Sequence, residues 1–477
     1  MKSKTSQSKN SQRELFATLE EFFERATGKK PHDFATFDSF GDEVRKNATT
    51  LAKRAPGALK FAWDTLPEFY RTDRLQAFEE AKHAAGLKFV LGGSSRFGET
   101  HFDSVRKMLL YADTILIPDP VLPWMESPRD EERFRVILFI QAVFSLLHLK
   151  PVVDAQLPYP AIIVFPSYEK TLEIQDVKTQ TLIHQFLLHV LSAKLGAEFG
   201  DLSEVTTFAA KRPLEFLEVV ASQGLFVGPN CTPGQPLSEH INEYRKTIAE
   251  WRSEEEQKRA ASYSEGELVL QGLLERLVPQ FHLLENAEEM AANPMLCVPS
   301  QWHYFSTCAT AFEERLKKNG LLQSETVASI RAVNQPELSW LGNIPINDLV
   351  RLRVDNENEE FRKRLGAMTR GLHQAVMDDV DRVAAELSKG LSALLAEHNR
   401  NIRQDAEGFQ RKYKIAAIGA WVTVAATLLP FLAPFVIPTS TAVIGLGYAA
   451  TKMDELGKRR QQAKSLLGIL AAARDDK

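Results

Sequence analysis

Apolar side chains in the first part of the chain recur at helical spacing. Leu15, Leu19, Phe22 and Phe23 follow three- and four-residue steps, and turn signals interrupt them at "GKKPHD" (28–33) and "RAPGA" (54–58). Residues 1–85 therefore read as a polar leader followed by a small helical subdomain. The texture then changes. "LKFVLGG" (87–93) is a short apolar run ending in glycines, "THFDSVRKMLLY" (100–111) has helical period, and "DTILIPDP" (113–120) returns to a strand pattern. An acidic start and an apolar middle mark "DEERFRVILFIQAVFSLLHLKPVVD" (130–154) as a helix buried against a sheet. "YPAIIVFPS" (159–167) supplies a third strand, "QTLIHQFLLHVLSAKL" (180–195) another helix, and "GLFVGP" (224–229) a fourth strand. This alternation predicts a small α/β unit with a parallel sheet over 86–230.

The prolines and glycines of "VGPNCTPGQPLSEH" (227–240) can continue neither period, so they close that unit. Beyond them, 241–348 reads as a helical domain of long, charged, periodic segments, broken at "QPELSWLGNIPIND" (335–348). From 356 to 414 an apolar seam running from Phe361 and Leu365 to Ile402 and Phe409 recurs about every 3.7 residues, near the eleven-residue repeat of straight or weakly right-handed packing. Unbroken, this stalk helix would be about 90 Å long. Its coiled-coil-like seam offers contacts to a second copy of the chain. The expected fold class is α+β, predominantly helical: a small α/β unit in the amino-terminal half, then a helical half with a long helix and an apolar hairpin.

That hairpin is "IAAIGAWVTVAATLLPFLAPFVIPTSTAVIGLGYAAT" (415–451), 37 residues without a charge in a chain that is 25% charged. Pro430, Pro434 and Pro438 split it into two arms, each roughly 20 Å long against a hydrocarbon core of about 30 Å. Arg411, Lys412 and Lys414 precede it, while Lys452, Lys458, Arg459 and Arg460 follow. The positive-inside tendency then places both ends on the cytoplasmic face, which a hairpin satisfies and a single span does not. A hairpin buried in a soluble core is the competing reading, opposed by the lack of a polar face on either arm. The tail, 452–477, is basic and amphipathic, suited to an anionic membrane surface or to packing on the stalk.

Composition narrows the setting. A net charge of -4 gives no drive toward nucleic acid, and three cysteines in 477 residues fit a reducing compartment. The first dozen residues lack the apolar run of a secretory signal, so the main body is expected in the cytosol.

Chemistry is sparse. Gly92, Gly93, Ser94, Ser95 and Arg96 lie between a strand and a helix, where backbone N–H groups can hold an anion, and Asp119 ends the neighbouring strand. With Trp124 and Glu126 these residues outline a ligand crevice. The loop matches neither the dinucleotide nor the Walker pattern, and a glycine-eased turn beside a proline-stiffened one explains the same residues. Cys297, His303 and Cys308 fit no zinc spacing, His184 and His189 fall on different helix faces, and His148 reads as a core histidine, so neither metal nor cofactor is expected. The function these features favour is a non-enzymatic protein whose partner is membrane lipid, with a cytosolic sensing module answering an unidentified small-molecule or protein trigger. An enzyme binding a nucleotide or phosphate ligand in the crevice is one alternative; a soluble helical scaffold is the other.

Overall fold

Three short apolar runs and one three-residue strand decide the architecture. The computed structural model describes residues 11–34, 36–93, 97–122, 132–166, 176–252, 254–311 and 341–369, with short pieces inside 385–393. Strands β1 (Lys88–Leu91), β2 (Thr114–Pro118), β3 (Ile162–Phe165) and β4 (Asn293–Met295) form one sheet in the order β3-β2-β1-β4. Every pairing is parallel, with Phe89 opposite Ile115 and Asn293, and Leu116 opposite Ile163. Successive side chains point to opposite faces, and both faces are covered. Phe89, Leu91, Ile115, Ile117, Ile162 and Val164 enter one core; Val90, Leu116, Ile163 and Phe165 enter the other.

Helices α1 (Ser11–Thr27), α2 (Phe37–Lys46), α3 (Ala48–His83), α4 (Glu99–Met108), α5 (Glu132–Leu147) and α6 (Lys150–Asp154) build the first core, although the end of α3 also reaches the second through Phe78 and Ala81. Aromatic packing fastens it: Phe40 stacks on Phe144 at 4.2 Å and Phe22 on Phe139 at 4.6 Å. The second core belongs to α7 (Asp176–Leu195), α8 (Leu202–Lys211), α9 (Pro213–Ser222), α10 (Leu237–Trp251), α11 (Glu254–Ala261), α12 (Glu265–Glu289) and α13 (Pro299–Ala311). Then α14 (Ile346–Val354) and α15 (Glu357–Thr369) return to the first core through Leu349, Leu352 and Phe361, with Asn356 in the left-handed region at the joint.

Edge strand β3 is closed by a side chain. The Gln12 amide donates to the Val164 carbonyl (2.9 Å) and accepts from the Val164 N–H (2.8 Å), as a neighbouring strand would.

Two expectations are corrected. "RAPGA" is not a turn, because α3 runs through Pro56 with Leu51, Ala55, Ala58, Leu59 and Ala62 all buried; packing against α1 outweighs the lost helical bond. "GLFVGP" is not the fourth strand. Its backbone is satisfied instead by Tyr304, whose hydroxyl accepts from Val227 N–H (2.8 Å) and donates to Val227 O (2.9 Å). The fourth strand is β4, from beyond the expected boundary at 227–240, so the helices after that boundary cover the same sheet.

The described residues thus form a predominantly helical α+β fold with a small parallel sheet. Of the expected stalk, α15 supplies the start, and its first seam residue, Phe361, is buried in the body. The rest of the seam apart from the pieces inside 385–393, the apolar hairpin with its flanking Arg411, Lys412, Lys414, Lys452, Lys458, Arg459 and Arg460, and the basic tail lie outside the described residues. Among those described, no helix is long and apolar enough to cross a membrane.

Candidate functional site

Parallel pairing brings the ends of β1 and β2 to one edge, so Gly92, one residue past β1, and Asp119, one residue past β2, lie on the same carboxyl side of the sheet. Ser94, Ser95, Arg96, Trp124 and Glu126 lie outside the described residues. Asp119 is 8% exposed and works as a turn residue: its Oδ1 accepts from the N–H groups of Val121 (2.7 Å) and Leu122 (3.2 Å). Gly92 donates its N–H to Met295 O (2.8 Å), and a Cβ there would come within 2.9 Å of Leu283 on α12. A side chain there would press on the tips of Leu283 and Leu296.

The chain order reverses on the other side of β1. Strands β2 and β3 extend the sheet one way and β4 the other, so β1 and β4 flank the switch point where open α/β sheets hold ligands. Gly93 takes a left-handed φ of +72° there, and Gln301, third residue of α13, packs its amide over it. From α4 come His101 and Ser104, while Lys107, a further turn along, lies with Asp103 against Gly342.

His101 is 8% exposed, and its Nε2 is buried without a hydrogen-bond partner, 3.5 Å from the position that a Cβ on Gly93 would occupy. Burial lowers its pKa to about 4, with the Gly93 backbone opposing only in part, so the ring is neutral at pH 7. Past β4, the Cys297 N–H donates to Gln301 Oε1 (3.2 Å), and burial pushes the Cys297 thiol up to about 12 against the opposing influence of Ser104 and Lys107. Burial also lowers the pKa of Lys107, with Asp103 opposing, and Lys107 makes no hydrogen bond or ion pair among the described residues. The Cys297 thiol is not in the thiolate form that nucleophilic chemistry requires, and the His101 imidazole, though neutral, is too weak a base to activate it.

At the amino edge of the same sheet lies a second polar cluster. Asp113, just before β2, accepts from Leu87 N–H (2.8 Å), from Asn358 Nδ2 (2.8 Å) and from Arg362 Nη1 (3.0 Å). Arg353, 5% exposed, donates to the carbonyls of Ala112 and Asp113, and burial lowers its pKa to about 10 although Asp113 opposes. This clamp fixes α14 and the start of α15 to the sheet.

The remaining sequence candidates are structural. His148 donates from Nδ1 to Phe144 O (2.8 Å) and stacks on Phe37 at 4.9 Å. His303 donates to Leu225 O (3.2 Å), away from Cys297 with its Ser104 neighbour, and Cys308 is fully buried. Among the described residues no three His, Cys, Asp or Glu side chains converge on a metal-sized space. A cavity of about 100 Å³ between α10, α11 and α12 is too small for a cofactor, and Tyr244 and Arg252 in its wall are both bonded to Glu275. His101, Lys107 and Gln301 escaped the sequence reading. The available signal was weak: the three-residue spacing 101, 104, 107 lies on a helix that also carries Glu99, Thr100, Asp103 and Arg106. Comparison of the chain with models of known families, with curated proteins and with solved structures gives no match.

Proposed function

We propose that the chain is a membrane-associated protein without catalytic activity, in which a sensing or binding body is joined through a long helix to a membrane-inserting hairpin at 415–451. The observation that carries this reading is the completeness of the body. Both sheet faces are covered by residues between 15 and 361, and the large apolar side chains left exposed among the described residues are the scattered Tyr159, Leu214 and Val354. A hairpin apolar on every side needs covering on every side, and the described surface has no contiguous apolar patch to offer it. Lipid supplies that covering. The clamp at Asp113 then gives the body a defined grip on the base of the helix that leads to the hairpin.

Fractionation of cells expressing the full chain and a chain ending at Lys414 tests the reading. The full chain is expected with membranes, resisting extraction by high salt; the shortened chain is expected in the soluble fraction with a cooperative melt. A soluble full chain, or a shortened chain that aggregates, would place the hairpin in a protein core instead.

A further inference from the structure

We propose that the cavity of about 100 Å³ between α10, α11 and α12 binds a short-chain monocarboxylate, with its carboxylate on Arg259 and the Tyr263 hydroxyl, its aliphatic tail against Ile248 and Leu268, and α11 as the lid. The site lies in the folded body, so it stands or falls separately from the membrane reading.

The groups on the wall that lack a good partner decide the charge of the ligand. Glu275 has no capacity left for a cation: its Oε2 accepts from the Tyr244 hydroxyl (2.9 Å) and from Arg252 Nη2 (3.0 Å), and its Oε1 accepts from Gln271 Nε2 (3.2 Å). Burial, then the charge of Glu275, holds the Tyr244 phenol above its usual range, so it stays a donor to that carboxylate. Arg252 is engaged in turn, between Glu275 and Glu256 (3.4 Å). Two donors remain. Arg259 has one acceptor among the described residues, Glu255 at 3.5 Å, the outer limit of a hydrogen bond, and the Tyr263 hydroxyl has none. A carboxylate can accept from one of them on each oxygen. Ile248 and Leu268, both buried, and Ala260 form the apolar part of the wall. A space of this size admits about four to six non-hydrogen atoms, which fits propionate or butyrate. The carboxylate of Glu256 on the same wall disfavours a second negative charge on the ligand.

Entry to the cavity follows from how α11 is attached. None of its eight residues is buried, and its apolar anchor in the second core is the partly buried Ala260. What else holds it is polar: the Gln257 amide donates to Ala249 O (3.1 Å) and Arg252 O (2.9 Å), and Glu256 pairs with Arg252. Surface contacts of this kind contribute little each, so α11 can lift while the core beneath it stays packed.

Amide hydrogen exchange of the full chain, purified in non-ionic detergent, is followed by mass spectrometry while sodium butyrate replaces sodium chloride at constant ionic strength. A ligand bound only beneath the closed lid is expected to slow exchange within 254–261 about tenfold at ten times its dissociation constant, leaving α2 in the other core unchanged. Arg259→Gln and Tyr263→Phe are each expected to weaken butyrate about tenfold, the loss typical of a hydrogen bond to a charged group. Arg259 is mostly exposed and Tyr263 partly so, and neither variant disturbs the core. Ala260→Leu fills the cavity from the lid while leaving both donors in place, and is expected to abolish the effect. Butylamine, with the same tail and the opposite charge, is expected to have none. A chain found in the soluble fraction would still show the protection, so failure of the membrane reading and failure of this site are distinguishable. Equal slowing by butylamine, equal slowing in α2, an undiminished effect in Ala260→Leu or in both donor variants, or no slowing at about 0.1 M butyrate overturns the proposal.

Discussion

His101 shows how one side chain ties the body's stability to pH. Its ordinary pKa is 6.5 and its folded value about 4, so the unfolded chain binds the proton more tightly. Stability is therefore fully present above pH 6.5 and declines as pH falls from there to about 4, by up to about 3 kcal/mol from this group alone. Denaturant melts of the wild-type chain at pH 7 and pH 4.5 should differ more than those of His101→Gln, whose amide does not titrate. An equal pH response in the two would mean that the ring is solvated. Tyr304 makes a different kind of prediction. Tyr304→Phe keeps the ring but leaves Val227 N–H and C=O unpaired in the core, so a destabilisation of about 1–3 kcal/mol is expected by denaturant titration. Glycines after a strand were legible at this scale because their backbone freedom leaves a composition signal. Gln12 and His101 were not, since what gives them roles is a β3 edge 152 residues away in one case and burial against Gly93 in the other.

Elements with strong apolar periods were legible, and those defined by a distant partner were not. The runs at 87–93, 113–120 and 159–167 became β1, β2 and β3 because each is apolar on both faces, the pattern of a parallel strand covered twice. β4 carries only Asn293, Pro294 and Met295, too short for a period and with a proline tolerated at an edge. The join between α14 and α15 was half legible: "QPELSWLGNIPIND" announced a break, but nothing announced that Arg353, Asn358 and Arg362 would converge on Asp113. That convergence makes Asp113 the pin between the sheet and the start of α15. Asp113→Ala leaves the amide of Leu87 without its acceptor and the Asn358 and Arg362 side chains without their carboxylate, and breaking a buried charge pair typically costs about 3–5 kcal/mol. Limited proteolysis should then cut first within 341–369, ahead of the sheet, whereas the wild-type chain is protected there. Unchanged protection of that segment would show that the apolar contacts of Leu349, Leu352 and Phe361 hold it unaided.

For the whole molecule, the membrane reading rests on one contrast: a charged body whose described apolar side chains are largely buried, and a segment with no charge at all. Its topology follows from the cost of moving basic residues. Carrying Lys458, Arg459 and Arg460 through the bilayer costs roughly 3 kcal/mol each on insertion scales, whereas a turn at Pro430, Pro434 and Pro438 leaves them on the side where Arg411, Lys412 and Lys414 already stand. Both ends are therefore predicted on the cytoplasmic side. The measurement replaces the native cysteines, introduces Ser465→Cys, and treats intact cells with an impermeant thiol reagent. Protection of the new thiol until the cells are opened, with the chain in the membrane fraction, is the expected result. Labelling from outside would require a single span with an external tail, and because three basic side chains would then have crossed, the positive-inside argument itself would fail for this chain.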